Sequence, residues 1–119
     1  MMKEIMVVDD EPDTLELVKA VLEMNGFKVN VFDTATGALT ALNKDRPSLV
    51  LLDMRMPEVS GVDFCKKVRA TPKLKNLKIV FFTASGNNDV ALLKQSGALG
   101  YIFKPFDNDD FVRQVKKFI

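Results

Sequence analysis

A chain of 119 residues with 47% hydrophobic and 28% charged residues has the composition of one globular domain, not of a disordered segment. Seventeen basic and sixteen acidic residues leave a net charge of +1, which offers no electrostatic reason for a nucleic-acid or membrane-surface partner. Histidine is absent, so imidazole metal sites, histidine general bases and Ser-His-Asp triads are excluded, and the lone Cys65 rules out an internal disulfide.

The predicted elements alternate along the chain. The first strand is Glu4–Val8, and it ends in the acids of the stretch VVDDEPD. No signal peptide is read in that start, because it runs directly from an apolar strand into carboxylates. The first helix follows over Pro12–Asn25, with proline in its opening turn and Gly26 as its stop. Leu15, Val18 and Leu22 form its apolar stripe, and Leu17, Val21 and Met24 widen that stripe enough to predict partial exposure of Leu17 or Met24.

The second strand, Lys28–Phe32, alternates in polarity as an edge strand does, and the second helix spans Thr36–Lys44. The third strand, Leu49–Leu52, and the fourth, Lys78–Phe82, are apolar on successive residues, which suits central strands of a parallel sheet covered on both faces. A third helix over Gly61–Ala70 lies between them. The fourth helix is predicted over Asn88–Ser96, the fifth strand over Gly100–Phe103, and the fifth helix over Asn108–Phe118. The last helix carries acids early and Arg113, Lys116 and Lys117 late, matching the helix dipole. No apolar run approaches the roughly 20 residues of a membrane span.

Strictly alternating strands and helices predict an α/β fold: a doubly wound, five-stranded parallel sheet of order 2-1-3-4-5, as in flavodoxin-like folds. Residues 1–119 are expected to form a single domain. Ligands of such sheets bind beyond the carboxyl ends of the strands. Strand 1 ends there in Asp9 and Asp10, strand 3 in Asp53, strand 4 in Thr83 and strand 5 in Lys104-Pro105. Singly, each has a plain structural reading: a helix cap, a turn residue, a strand-end hydroxyl, a solvated lysine. Their coincidence at four strand ends favours a site. Three clustered carboxylates call for a hard cation such as Mg²⁺, and without imidazole or paired thiolates zinc and copper are disfavoured. A carboxylate nucleophile, a metal, a lysine and a hydroxyl are the parts that phosphoryl transfer to an aspartate needs.

The motifs VVDDEP, LLDMRMPEVSG, FFTAS and YIFKPF, each at a strand end and in this order, resemble the receiver domain of two-component response regulators, over essentially the whole chain. The single-domain chemotaxis regulators are similar in size and layout. The resemblance implies a signalling phosphoacceptor that catalyses its own Mg²⁺-dependent phosphorylation and dephosphorylation, rather than an enzyme with a separate substrate. Asp53 is then the phosphoacceptor. Mg²⁺ is held by Asp9, Asp10 and Asp53 with the backbone carbonyl of Arg55. Lys104 pairs with Asp53 and then with the phosphoryl oxygens, its bond to Pro105 being cis. Thr83 and Tyr101 act as the switch, the tyrosine turning into the space the threonine vacates. The implied partners are a sensor histidine kinase or a histidine phosphotransfer protein and a downstream target protein. Direct nucleic-acid binding and a membrane are not expected, the location is cytoplasmic, and the chain is expected to be a monomer or weak dimer.

The chain departs from the family pattern at Ser60, where an acid is frequent, and at Arg55, where methionine or asparagine is usual. Three other readings compete, one of them a degenerate receiver used only as a docking scaffold, which the complete set of site residues argues against. An aspartyl-phosphate hydrolase would carry a second acid at position 55, and a flavin or nucleotide carrier would need a glycine-rich phosphate loop where this chain has VVDDEPD.

Overall fold

The computed structural model describes residues 3–53, 56, 59–83, 96–103 and 107–119. Five strands, β1 (Glu4–Val8), β2 (Lys28–Phe32), β3 (Leu49–Leu52), β4 (Ile79–Thr83) and β5 (Gly100–Phe103), form one parallel sheet in the order β2-β1-β3-β4-β5. Four helices belong to the described residues: α1 (Pro12–Met24), α2 (Ala35–Leu42), α3 (Gly61–Ala70) and α4 (Asn108–Phe118), with a 3-10 turn at Pro72–Leu74. The fourth helix read from the sequence, Asn88–Ser96, lies almost wholly outside the described residues.

The all-apolar strands behave as expected. Every residue of β3 is buried, and so are Ile79–Phe82 of β4. Successive strand residues point to opposite faces, so each strand feeds two cores. Ile5, Val7, Leu49, Leu51, Val80, Phe82 and Ile102 face one layer, which α1 covers with Leu15, Val18, Val21 and Leu22 and α4 covers with Phe111, Val112 and Val115. Met6, Val8, Val50, Leu52, Ile79 and Phe81 face the other, covered by Ala35, Ala38 and Leu42 of α2 and Phe64, Cys65 and Val68 of α3. The extra apolar width of α1 is left at the surface: Leu17 is 49% and Met24 85% exposed.

Local chemistry sets the helix ends. Asn25 caps α1, its amide donating to the Val21 carbonyl at 2.7 Å, and Gly26 turns the chain at φ 90, in the left-handed region glycine favours. α2 starts one residue before its predicted start because the Thr34 hydroxyl accepts from Gly37 N at 3.0 Å, and it ends two residues early in turn bonds from Asn43 and Lys44. Ser60 accepts from Asp63 N at 3.1 Å, so the serine that departs from the family pattern serves as the cap of α3. Asp107 does the same for α4 through Asp110 N.

β4 is displaced by one residue from its predicted span. Thr83 is drawn into the strand by its register with Phe103, whereas Lys78 stays outside it while its carbonyl accepts from Val50 N at 2.9 Å. Arg69, at the end of α3, has a role that its sequence does not advertise. Its guanidinium donates to the carbonyls of Lys75 (3.0 Å), Leu77 (2.8 Å) and Gly97 (2.9 Å), tying α3 to the chain entering β4 and to the turn before β5.

Cys65 is fully buried in the second layer, and burial pushes its thiol up from 9.0 to about 11, against smaller opposing effects of the Arg69 charge and a hydrogen bond with Ser96. The folded state therefore holds this proton more tightly than the unfolded chain does. The contribution is fully present below pH 9 and is lost as pH rises from about 9 to about 11, a window corresponding to roughly 2–3 kcal/mol. Urea midpoints measured through that window should fall more steeply for the wild type than for Cys65→Ala; parallel curves would contradict it.

Candidate functional site

Sheet register brings the carboxylates together. Val8 is paired with Leu52, so the next residues, Asp9 and Asp53, leave the ends of adjacent strands side by side. The backbone reinforces this: Asp53 N donates to the Val8 carbonyl at 2.9 Å, and Asp9 N donates to the Phe32 carbonyl at 3.1 Å. Neighbouring strands lie about 4.8 Å apart, close enough for their terminal side chains to share one ion.

Asp9 is completely buried, Asp53 is 8% exposed, and Asp10 is exposed. Oδ1 of Asp9 accepts from Glu11 N at 2.9 Å, which fixes the orientation of that carboxylate and closes the turn into α1. The capping reading of this stretch is thus partly realised, but by a bond two residues on. Glu11 is the helix cap residue and makes no side-chain capping bond, while Pro12 takes the first turn, where no N–H is needed. One oxygen from each of Asp9, Asp10 and Asp53 lies within 4.8 Å of the others. Two buried carboxylates and one exposed carboxylate at this spacing repel one another, and a divalent cation with oxygen preference relieves that repulsion. All three acids predicted for the metal are brought together.

Thr83 is the last residue of β4, level with Phe103 of β5, so the two strands end side by side. The role expected of its side chain lies outside the described atoms, and Arg55, Lys104 and Pro105 lie outside the described residues. Tyr101 is half-buried on β5 against the second core layer, its ring centroid 4.6 Å from that of Phe103. Phe103 on the same strand is 43% exposed, and Leu99, the residue before the strand, is 53% exposed. The sequence reading missed Met56, which is buried in the second layer three residues after Asp53. Its apolar character was the available signal. Among the described residues, no helix is long and apolar enough to cross a membrane.

The fold, the strand order and the placement of three acids define a receiver-type α/β domain. The family model for the response regulator receiver domain matches residues 5–116, and the chain belongs to that family of two-component systems. It is 39% identical over 117 residues to the DNA-binding response regulator MtrA of Mycolicibacterium smegmatis, covering 98% of this chain and 50% of that protein. The chain thus spans about half the length of the MtrA relatives it matches. Among solved structures, the chemotaxis response regulator CheY4 of Vibrio cholerae superposes with a TM-score of 0.93 at 25% identity, covering 100% of both chains. The response regulator TrrA of Thermotoga maritima, described in complex with Mg²⁺ and beryllium fluoride, gives a TM-score of 0.87 at 34% identity over 99% of this chain and 100% of its own.

Proposed function

We propose that the chain is the phosphoacceptor module of a two-component phosphorelay, with Asp53 taking a phosphoryl group from a phosphohistidine of a sensor kinase or histidine phosphotransfer protein. The observation that carries this reading is the convergence of Asp9, Asp10 and Asp53, with one oxygen of each inside 4.8 Å, at the carboxyl ends of β1 and β3. In the reaction, a carboxylate oxygen of Asp53 attacks phosphorus. The P–N bond to the donor imidazole breaks, its electrons return to the ring, and an acyl phosphate remains. Mg²⁺, held by Asp9, Asp10, Asp53 and the Arg55 carbonyl, would supply charge neutralisation for the phosphoryl oxygens.

The remaining roles are proposed for this chain's own side chains. Lys104 neutralises the carboxylate before transfer and the phosphoryl group after it, held in position by a cis bond to Pro105. The Thr83 hydroxyl donates to the phosphoryl group. Tyr101 moves inward as Thr83 moves, and the β4–β5 face passes the change to a downstream protein as a shift between two arrangements. Residues 1–119 act as one receiver module in the cytoplasm, without direct contact to nucleic acid or membrane.

The test is an intact-mass measurement after incubation with a small acyl-phosphate donor. A gain of one phosphate that requires Mg²⁺ and disappears on chelation is the expected result; no gain would overturn the proposal. The metal itself is checked separately by calorimetry. Mg²⁺ should raise the melting temperature, with about 2.7 kcal/mol of linkage at a hundredfold excess over Kd. Asp10→Asn should lose most of that gain while keeping the fold, because Asp10 is exposed. A wild-type melting temperature indifferent to Mg²⁺ would remove the metal from the scheme.

A further inference from the structure

At the end of the sheet opposite Asp53, where β3 and β4 begin, the loops Arg46–Ser48 and Pro72–Lys78 enclose a cleft of about 320 Å³. Its floor is apolar: Pro47, Leu74 and Leu77 are all buried. Its rim carries the charges of Arg46, Lys73 and Lys78, with Ser48 and Asn76 as uncharged hydrogen-bonding groups, and no carboxylate lines it. Among the described residues, neither Arg46 nor Lys73 takes part in an ion pair. Lys73 Nζ reaches a neutral group instead, the Asn43 carbonyl at 3.3 Å, and Lys78 Nζ lies 3.4 Å from the main-chain oxygen of Ile119.

The walls are held before any ligand arrives. Ser48 N donates to the Glu4 carbonyl at 2.7 Å, Leu77 N donates to the Leu74 carbonyl at 3.0 Å, and Arg69 fixes the carbonyls of Lys75 and Leu77 from behind. A preformed concavity of this size, apolar beneath and polar at the rim, has the character of a small-molecule site. Three basic residues line the cleft and no acidic side chain does, which raises the local potential, and an anion entering the cleft lowers it. Guanidinium matches the oxygens of a phosphate in pairs, and ammonium serves as a point charge beside it.

We propose that this cleft binds a small organic phosphate of about nucleotide size, its phosphates between Arg46, Lys73 and Lys78 and its apolar body on Pro47, Leu74 and Leu77. The site is remote from Asp53 and needs no phosphorylation chemistry, so it stands independently of the function proposed above.

The test is a titration of the ¹⁵N-labelled full chain with ADP in EDTA, which denies the Asp9–Asp53 cluster any bridging metal. Saturable shifts are expected at the amides of Ser48, Lys73, Asn76 and Lys78. They should weaken at least tenfold in affinity in the double variant Arg46→Gln, Lys73→Gln. Both residues are exposed, so the variant should fold with the wild-type melting temperature, and the single variant Lys73→Gln gives an intermediate affinity if it does not. The proposal is overturned by any of four results: no saturable shift at millimolar ADP, equal affinity in the variant, shifts centred on Asp9, Asp10 and Asp53, or adenosine binding as tightly as ADP.

Discussion

Asp53→Asn should leave the protein folded and abolish its uptake of a phosphoryl group. The amide that replaces the carboxylate is nearly isosteric, so the 8% exposed site at the end of β3 keeps its packing and its backbone bond to Val8. Stability should stay within about 1 kcal/mol of wild type, as for substitutions that leave no cavity. The chemistry does not survive, because a carboxamide oxygen is a poor nucleophile at neutral pH and forms no acyl phosphate. Intact mass after exposure to a small acyl-phosphate donor and Mg²⁺ reads this directly. A full one-phosphate gain in the variant would move the acceptor elsewhere and refute the assignment. The expected thermal response to Mg²⁺ should also shrink, since one of three acidic groups is lost from the cluster.

Phe82→Ala should show the reverse pattern, a badly weakened fold around an intact set of site acids. Phe82 is completely buried in the first core layer, its ring centroid 5.4 Å from that of Phe111 on α4. Truncation removes the aromatic pair and leaves a cavity between sheet and helix that the tightly packed strands cannot close. Phenylalanine-to-alanine changes in such positions cost about 3–5 kcal/mol, against a total of about 5–15 kcal/mol for a domain. The melting temperature should fall by roughly 10–20 °C. Phe82→Leu, which retains most of the volume, should fall much less. Below its melting transition the alanine variant should still accept a phosphoryl group on Asp53. Thermal denaturation followed by circular dichroism measures the first effect, and a loss below about 1 kcal/mol would show that the layer repacks freely.

Much of this arrangement was legible in the chain because the sheet is parallel and covered on both faces. Runs such as LVLL in β3 and IVFF in β4 are apolar on every residue for that reason, and they marked the central strands directly. Once these strands were central, the acids that follow Val8 and Leu52 had to meet, and the register places them next to each other. Details that depend on a single hydrogen bond were less visible. The start of α2 is set by one hydroxyl of Thr34, and the end of β4 by pairing with Phe103. Arg69 was illegible altogether: a cation in the last turn of a helix reads as dipole complement and solvated charge, and nothing in the sequence indicates that three distant carbonyls converge on it. The basic cleft was hidden for a similar reason, since its charges come from two loops far apart in the sequence.

The all-parallel ladder also makes every strand pairing a long-range one. Parallel neighbours cannot be joined by a tight turn, so no two strands of this sheet can form a hairpin. α1 lies between β1 and β2, and α1, β2 and α2 lie between β1 and β3, so the pairing that joins Asp9 to Asp53 closes a long stretch of chain, and long-range closures of this kind slow folding. The acids repel only where that pairing has formed. In kinetic terms, relieving that repulsion should slow unfolding more than it speeds folding.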